Sequence, residues 1–337
     1  MRILIIGRAR PYSNETGIYR ELVRRGHRVA LVDDRRLRQV VGRRLTNAWL
    51  RKRAQTFRPE YLILQKALDV DLDFLAEWCA RIPSVMWFRD LVIPPTKEIL
   101  ERARLVNTVF LTAGGQAPEW EALGVRRALF LPDAADPDYD RPVPPDRRFA
   151  CDVAFMGLGY NLSRGATQHV YGDRARVLLR IAERHHVRVW GRRWEPWRKE
   201  LNWAGREARG KDFGRVCSSA KVVLGIQPRN VVWGYQSNRM VRVLARGGFF
   251  MGHAGPGLRE LFRDGEHCAW YDDEEHLLEQ LAYYLARPEE RERIARAGRE
   301  FVLRYHTYAQ RVDNLLTGQP WSNPLAESTT PPAGGGA

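Results

Sequence analysis

The sequence predicts an α/β protein made of two Rossmann-like domains, each a parallel sheet covered on both faces by helices. Short β-branched runs recur along the chain, separated by segments of helix length. A stretch rich in Pro and Asp then interrupts the pattern, and the same alternation resumes beyond it. At roughly 150 residues per domain, the length of 337 also suits two domains.

The first strand is the apolar run Ile3 to Ile6, ending at Gly7. A helical pattern follows from about Glu15 to Arg25 and stops at Gly26, and residues 27–33 form a second strand. Further short apolar runs fall at residues 61–64, 84–88, 108–111 and 128–131, which makes six strands in about 131 residues. From Pro132 to Arg148 there is no apolar periodicity, as in a linker. Strands are then expected at 152–156, 187–190, 222–226 and 249–252, with helices at about 174–185, 238–246, 274–286 and 288–305. The reading assigns 1–140 to an N-terminal domain, 141–150 to a linker, 151–316 to a C-terminal domain and 317–337 to a disordered tail.

Hydrophobic residues make up 44% of the chain, enough for cores, which excludes collagen-like and wholly disordered classes. No run reaches the roughly 20 apolar residues of a membrane helix, and the apolar start is too short for a signal peptide, so a cytoplasmic protein is expected. Cys79, Cys151, Cys217 and Cys268 lack metal or disulfide spacing. The net charge of +15 suits a polyanionic partner, nucleic acid included. It arises from 49 Arg and 6 Lys, a skew that genome composition also produces, and divides evenly at residue 150, with 27 − 19 = +8 before it and 28 − 21 = +7 after. The stretch that starts at Arg35 and ends at Arg58 carries nine basic residues and no acidic one. As a helix it gathers Val41, Leu45, Ala48 and Trp49 on one side, which fits peripheral contact with an anionic membrane, or else a solvated helix packed on the sheet by that stripe.

Gly234-Tyr235-Gln236-Ser237-Asn238-Arg239 leads into a helix. Ser237 is a good N-cap, so free N–H groups, with Arg239 in the first turn, suit an anion such as a diphosphate. Gly255-Pro256-Gly257, before Leu258-Arg259-Glu260, has the same character, and Gly157-Leu158-Gly159-Tyr160 follows the first strand of the second domain. Each of these turns is equally compatible with an ordinary loop. Asp69-Val70-Asp71-Leu72-Asp73 contains an Asp-x-Asp that helix capping explains better than metal binding.

The stretch Ser237-Asn238-Arg239, Leu244-Ala245-Arg246-Gly247-Gly248-Phe249-Phe250 and Gly255 to Gly265 resembles the signature of CgeB-like glycosyltransferases, relatives of the group 1 glycosyltransferases. Leu131-Pro132-Asp133-Ala134-Ala135-Asp136-Pro137 and the segment Tyr283 to Tyr308 continue the resemblance, which covers about residues 58–316. It implies a GT-B fold, two Rossmann-like domains with parallel sheets facing across a cleft, and sugar transfer from a nucleotide sugar with no cofactor and no metal, the N-terminal domain lying on the acceptor side and the C-terminal domain binding the nucleotide sugar. The donor contacts it implies are Gly157, Gly159, Tyr235, Ser237, Asn238, Arg239, Arg242, Gly255, Gly257 and Glu260. Arg242 and Gly234 stand where group 1 relatives commonly carry Glu, so Arg242 is expected to face a phosphate or carboxylated sugar, or to turn outward. Glu15, beside the loop after strand one, and Asp90, after strand four, are the candidate catalytic bases, or else a first-turn helix residue and a loop or salt-bridge residue. The acceptor is unidentified. Alternative readings are a nucleic-acid-binding protein or a glycosyltransferase acting on DNA bases, and a non-catalytic relative that keeps the fold.

Overall fold

The computed structural model describes residues 1–159, 168–226 and 232–326; the side chains of residues 168–173 are outside the description. The chain divides into two compact units. Unit 1 holds Met1–Ala134, Trp233–Tyr235 and Thr307–Ser322, and unit 2 holds most of the remainder. Each is built on one all-parallel sheet.

In unit 1 the elements run β1 (Arg2–Ile6), α1 (Asn14–Arg24), β2 (Arg28–Val32), α2 (Asp34–Phe57), β3 (Tyr61–Leu64), α3 (Leu72–Arg81), β4 (Ser84–Phe88), α4 (Lys97–Ala103), β5 (Thr108–Leu111), α5 (Ala117–Ala122) and β6 (Ala128–Phe130). The order β2-β1-β3-β4-β5-β6 reverses direction at β1, as in a doubly wound sheet. Alternation along β1 sends Ile3 and Ile5 to one core and Leu4 and Ile6 to the other, which is why the strand reads as an unbroken apolar run.

In unit 2 the elements are β7 (Cys151–Met156), α6 (Gln168–Ala182), β8 (Val187–Trp190), α7 (Lys211–Ser219), β9 (Ala220–Gly225), α8 (Asn238–Ala245), β10 (Phe250–His253), α9 (Leu258–Leu261), β11 (Ala269–Tyr271), α10 (Glu274–Leu285) and α11 (Pro288–Tyr305). The strand order is β11-β10-β9-β7-β8. β11 and α7 were not anticipated; β11 is three residues long and too short to stand out.

The last helix, α12 (Tyr308–Thr317), returns to unit 1, whereas sequence reading left most of it in the second domain. Tyr308, Val312 and Leu315 bury against Ile18 and Leu22 of α1, and Tyr61 donates its hydroxyl to the Leu315 carbonyl (2.6 Å). The expected disordered tail is also corrected over residues 317–326, because Trp321 packs edge-on against Phe130 at 5.5 Å and Asn323 donates to the Glu260 carbonyl at 3.0 Å. Residues 327–337 lie outside the described residues. The polar stretch after β6 is no solvated linker at its start, since Asp133, Asp136 and Asp140 are buried.

Helix α2 also departs from expectation. It bends at Gly42 (φ 79°), and beyond the bend the residues it buries are Thr46, Asn47, Leu50 and Ala54. The stripe of Val41, Leu45, Ala48 and Trp49 faces outward. No helix among the described residues is long and apolar enough to cross a membrane.

The crossing of α1 and α12 depends on Gly17, where an added Cβ would lie 2.3 Å from the Tyr308 ring. Alanine is favoured over glycine inside a helix by about 1 kcal/mol. Gly17→Ala is nevertheless expected to destabilise unit 1 by about 1–3 kcal/mol, because the ring is buried and must shift. Chemical denaturation measures this, and a more stable variant would show that the ring yields freely.

Candidate functional site

Ligands bind parallel α/β sheets at the carboxyl ends of the strands, and in each unit that edge carries buried charge. In unit 1, Gly7 follows β1, and a Cβ there would meet Gln65 at 2.8 Å and Glu15 at 2.9 Å, so glycine makes room for the buried Glu15. Arg89, directly after β4, donates its Nε to Gln65 Oε1 (3.2 Å) and faces two carboxylates, Asp133 Oδ1 at 3.6 Å and Glu15 Oε1 at 3.9 Å. Asn14 Nδ2 donates to Asp133 Oδ1 (3.3 Å). Burial raises the Asp133 carboxyl to about 6; Arg89 and Asn14 pull it down only in part.

Of the two sequence-predicted bases, Glu15 belongs to this cluster. Asp90 does not: its side chain is 56% exposed and bonded to Lys66. Desolvation raises its pKa, but Lys66, Arg89 and Arg8 outweigh this and hold the carboxyl below its usual value, a poorer base than an ordinary carboxylate. Sequence reading missed Asp133 and Asn14, although Asp133 lies inside a motif it quoted. Contact across 119 residues is invisible to local pattern.

In unit 2 the edge is positive. Ser237 caps α8 by accepting from the Arg239 N–H (3.4 Å). The Arg239 guanidinium lies 4.9 Å from the Phe155 ring at the end of β7, and a Cβ on Gly157 would come within 2.7 Å of it. Arg174 of α6, buried, stands 5.5 Å from the same ring and donates to the carbonyls of Leu158 (3.1 Å) and Ile226 (3.1 Å). Gln236, one residue before the cap, is fully buried, and neither its amide nitrogen nor its amide oxygen has a hydrogen-bond partner among the described residues. Arg174 was missed at the sequence level. It shares a helical stripe with Leu178 and Ile181, and a lone cation on an otherwise buried stripe was the available signal.

The structure brings Gly157, Ser237, Asn238 and Arg239 together around this helix start and separates other expected donor contacts from it. A Cβ on Gly159 would strike the Arg193 carbonyl at 1.9 Å, so close backbone packing of the β7 and β8 loops requires that glycine. Tyr160 lies outside the described residues, and Tyr235 groups with unit 1. Arg242 does not turn toward a phosphate or outward; its Nε bonds Asp140 (3.0 Å) and its guanidinium covers Phe213. Gly257 (φ 76°) precedes α9, a single turn, and Glu260 there is exposed. Gly255 is half-buried in the same loop. Asp69 and Asp71 pair with Arg38 and Arg43 of α2, and among the described residues no group of three His, Cys, Asp or Glu is placed to hold a metal.

Residues 173–317 match the family model described as glycosyl transferase-like. No curated protein matches the chain in sequence. Among solved structures, a sucrose-phosphate synthase from Thermosynechococcus elongatus aligns with a TM-score of 0.68 at 12% identity, over 94% of this chain and 98% of that one. Anabaena HepE in complex with UDP-glucose aligns at 0.62 and 14% identity, over 95% and 100%. A glycosyltransferase from Rickettsia africae aligns at 0.62 and 9% identity, over 94% and 97%. The fold is therefore GT-B, as the sequence resemblance implies, and together with the family match it supports a group 1 glycosyltransferase.

Asp133 makes the unit 1 site sensitive to pH. A carboxyl that titrates near 6 when folded and near 3.8 when unfolded holds its proton better in the folded state, so stability falls as pH rises from about 4 to 6. Asp133→Asn removes that loss. Denaturation at pH 4.5 and 7.5 is expected to show the variant gaining about 2 kcal/mol on wild type at the higher pH. An unchanged difference between the two proteins would mean that Asp133 titrates normally.

Proposed function

We propose that this chain transfers a sugar from a nucleotide-sugar donor to an acceptor, holding the donor diphosphate at the start of α8 without a metal. The observation that carries the reading is the combination at that helix start: capped N–H groups, Arg239 on Phe155 beside Gly157, and the buried Gln236 amide, which has no partner among the described residues. Helix-end amides and a guanidinium offset the charge that develops on a departing diphosphate. Glu15, oriented by Arg89, serves as the base that takes the acceptor hydroxyl proton, and Asp133 positions Arg89. The motifs from Ser237 to Gly265 support the CgeB-like subtype.

UDP, present in complexes of a protein with this fold, is the first probe. Calorimetry with the full chain is expected to detect UDP binding that survives EDTA and weakens by about 1.5–3 kcal/mol in Arg239→Ala, the scale of a charge-assisted contact. Unchanged affinity in a folded variant would remove α8 from the site. Loss of binding on EDTA treatment, restored by Mn²⁺ or Mg²⁺, would refute metal independence.

The acceptor side carries a membrane-facing surface in this reading. On α2, Val40 is 74% exposed, Leu45 62% and Trp49 44%, beside the exposed Arg43, Arg44, Lys52 and Arg53. An outward apolar stripe within basic residues suits an anionic bilayer, at about 1 kcal/mol per cation near the surface. A cytoplasmic enzyme attached peripherally is the corresponding localisation. Full-length protein should sediment with phosphatidylglycerol vesicles at low salt, release as the Debye length shortens from about 10 Å to about 3 Å, and fail to sediment after Arg43, Arg44, Arg51 and Arg53 are replaced by Gln. Indifference of the wild type to such vesicles would discard the membrane contact.

A further inference from the structure

β8 is an edge strand of the unit 2 sheet, and Arg188 and Trp190, two residues apart, project from the same face of it. Phe149, in the turn before β7, lies parallel to Trp190, with ring centroids 6.2 Å apart and planes within 10°. Arg188 covers the Trp190 ring at 5.0 Å and Arg215 covers Phe149 at 5.9 Å. Together with Arg148, Arg206 and Asp212 they line an open pocket of ≈ 230 Å³ that the proposed transfer does not use.

The charges there do not balance. Asp146 pairs with Arg148 (2.7 Å) and more distantly with Arg215 (3.8 Å), while Asp212 pairs with Arg206 (2.6 Å) and Arg215 (2.9 Å). Four guanidiniums thus meet two carboxylates. Arg188 has no carboxylate among the described residues: it donates from Nη1 to the Arg148 carbonyl, and its solvent-shielded Nε has no acceptor. A buried charged donor without an acceptor is costly, and an incoming oxygen relieves that cost.

We propose that this pocket is a second anion site in unit 2 and takes a phosphate dianion, either free or as the head of a phosphomonoester. Two uncompensated positive charges match a dianion, and planar guanidinium forks match tetrahedral phosphate oxygens better than a point cation would. The stacked rings and the guanidiniums above them hold those forks in place before the ligand arrives, which lowers the ordering cost of binding.

The test titrates the full-length protein calorimetrically with inorganic phosphate and, in a second arm, with glucose 1-phosphate. Wild type is compared with Arg188→Gln, with the double variant Arg148→Gln/Arg215→Gln, and with Arg239→Ala as a control at α8. Both pocket variants are expected to bind the better ligand at least about tenfold more weakly, with Arg239→Ala unchanged. Circular dichroism confirms folding, and if Arg188→Gln unfolds, the double variant at the pocket rim carries the comparison. Tenfold preference for the ester identifies a monoester ligand, and equal affinity identifies phosphate itself. No binding in either arm, equal binding by the pocket variants, or a loss confined to Arg239→Ala would overturn the proposal; the last would send phosphate to the α8 site.

Discussion

Everything at the positive edge of unit 2 depends on where α8 points, and α8 is held from its far end by one buried carboxylate. Asp140 Oδ1 accepts from Arg242 Nε at 3.0 Å and from Arg246 Nε at 3.1 Å, while Arg246 also donates to the Tyr139 carbonyl. Arg246 and Asp140 are nearly inaccessible to solvent. Breaking such a buried pair by removing one partner typically costs 3–5 kcal/mol, because the charge left behind has nowhere to go. Gly214 belongs to the same arrangement, since a Cβ there would come within 2.7 Å of Arg246 Nη1. Arg242, which the sequence led one to expect facing a phosphate or turned outward, thus anchors α8 instead.

At the start of α8, glycine serves two different purposes. Gly157 leaves room for a side chain, the Arg239 guanidinium. Gly159 and Gly191 leave room for backbone: a Cβ on either would lie within 2 Å of a carbonyl oxygen, Arg193 for the first and Gly157 for the second. Those two glycines lock the β7 and β8 loops together, and Trp194 Nε1 adds a bond to the Gly157 carbonyl at 2.9 Å. The rigid pair of loops fixes Phe155, and Phe155 gives Arg174 and Arg239 a common platform.

The arginine-rich composition is divided among unlike tasks. Arg102 and Arg311 are interior cross-links: Arg102 donates to the carbonyls of Ala67, Leu68 and Val70 after β3, and Arg311 to those of Pro132 and Asp133 after β6. A guanidinium has five donors and can satisfy several carbonyls that no regular element pairs. The arginines of α2 instead surround an outward apolar stripe, with Arg38 and Arg43 tied to Asp69 and Asp71. Net charge alone would have treated these residues alike.

The sequence by itself determined the parallel α/β class, most strand positions, the GT-B resemblance and the capped start of α8. These follow from short-range signals: unbroken apolar runs in strands buried on both faces, Gly and Pro at their ends, and Ser before a helix. Tertiary structure decided the rest, because it depends on groups far apart in the chain. It set Asp133 against Arg89 and Asn14, turned Arg242 to Asp140, and sent α12 back to α1 through Gly17. It also decided which side of α2 faces the core. Thr46 and Asn47 turn inward on the face that packs Leu50 and Ala54 into the core, and their polar groups are satisfied there by the Gly42 and Arg43 carbonyls and, through the Asn47 side chain, by the Asp71 N–H.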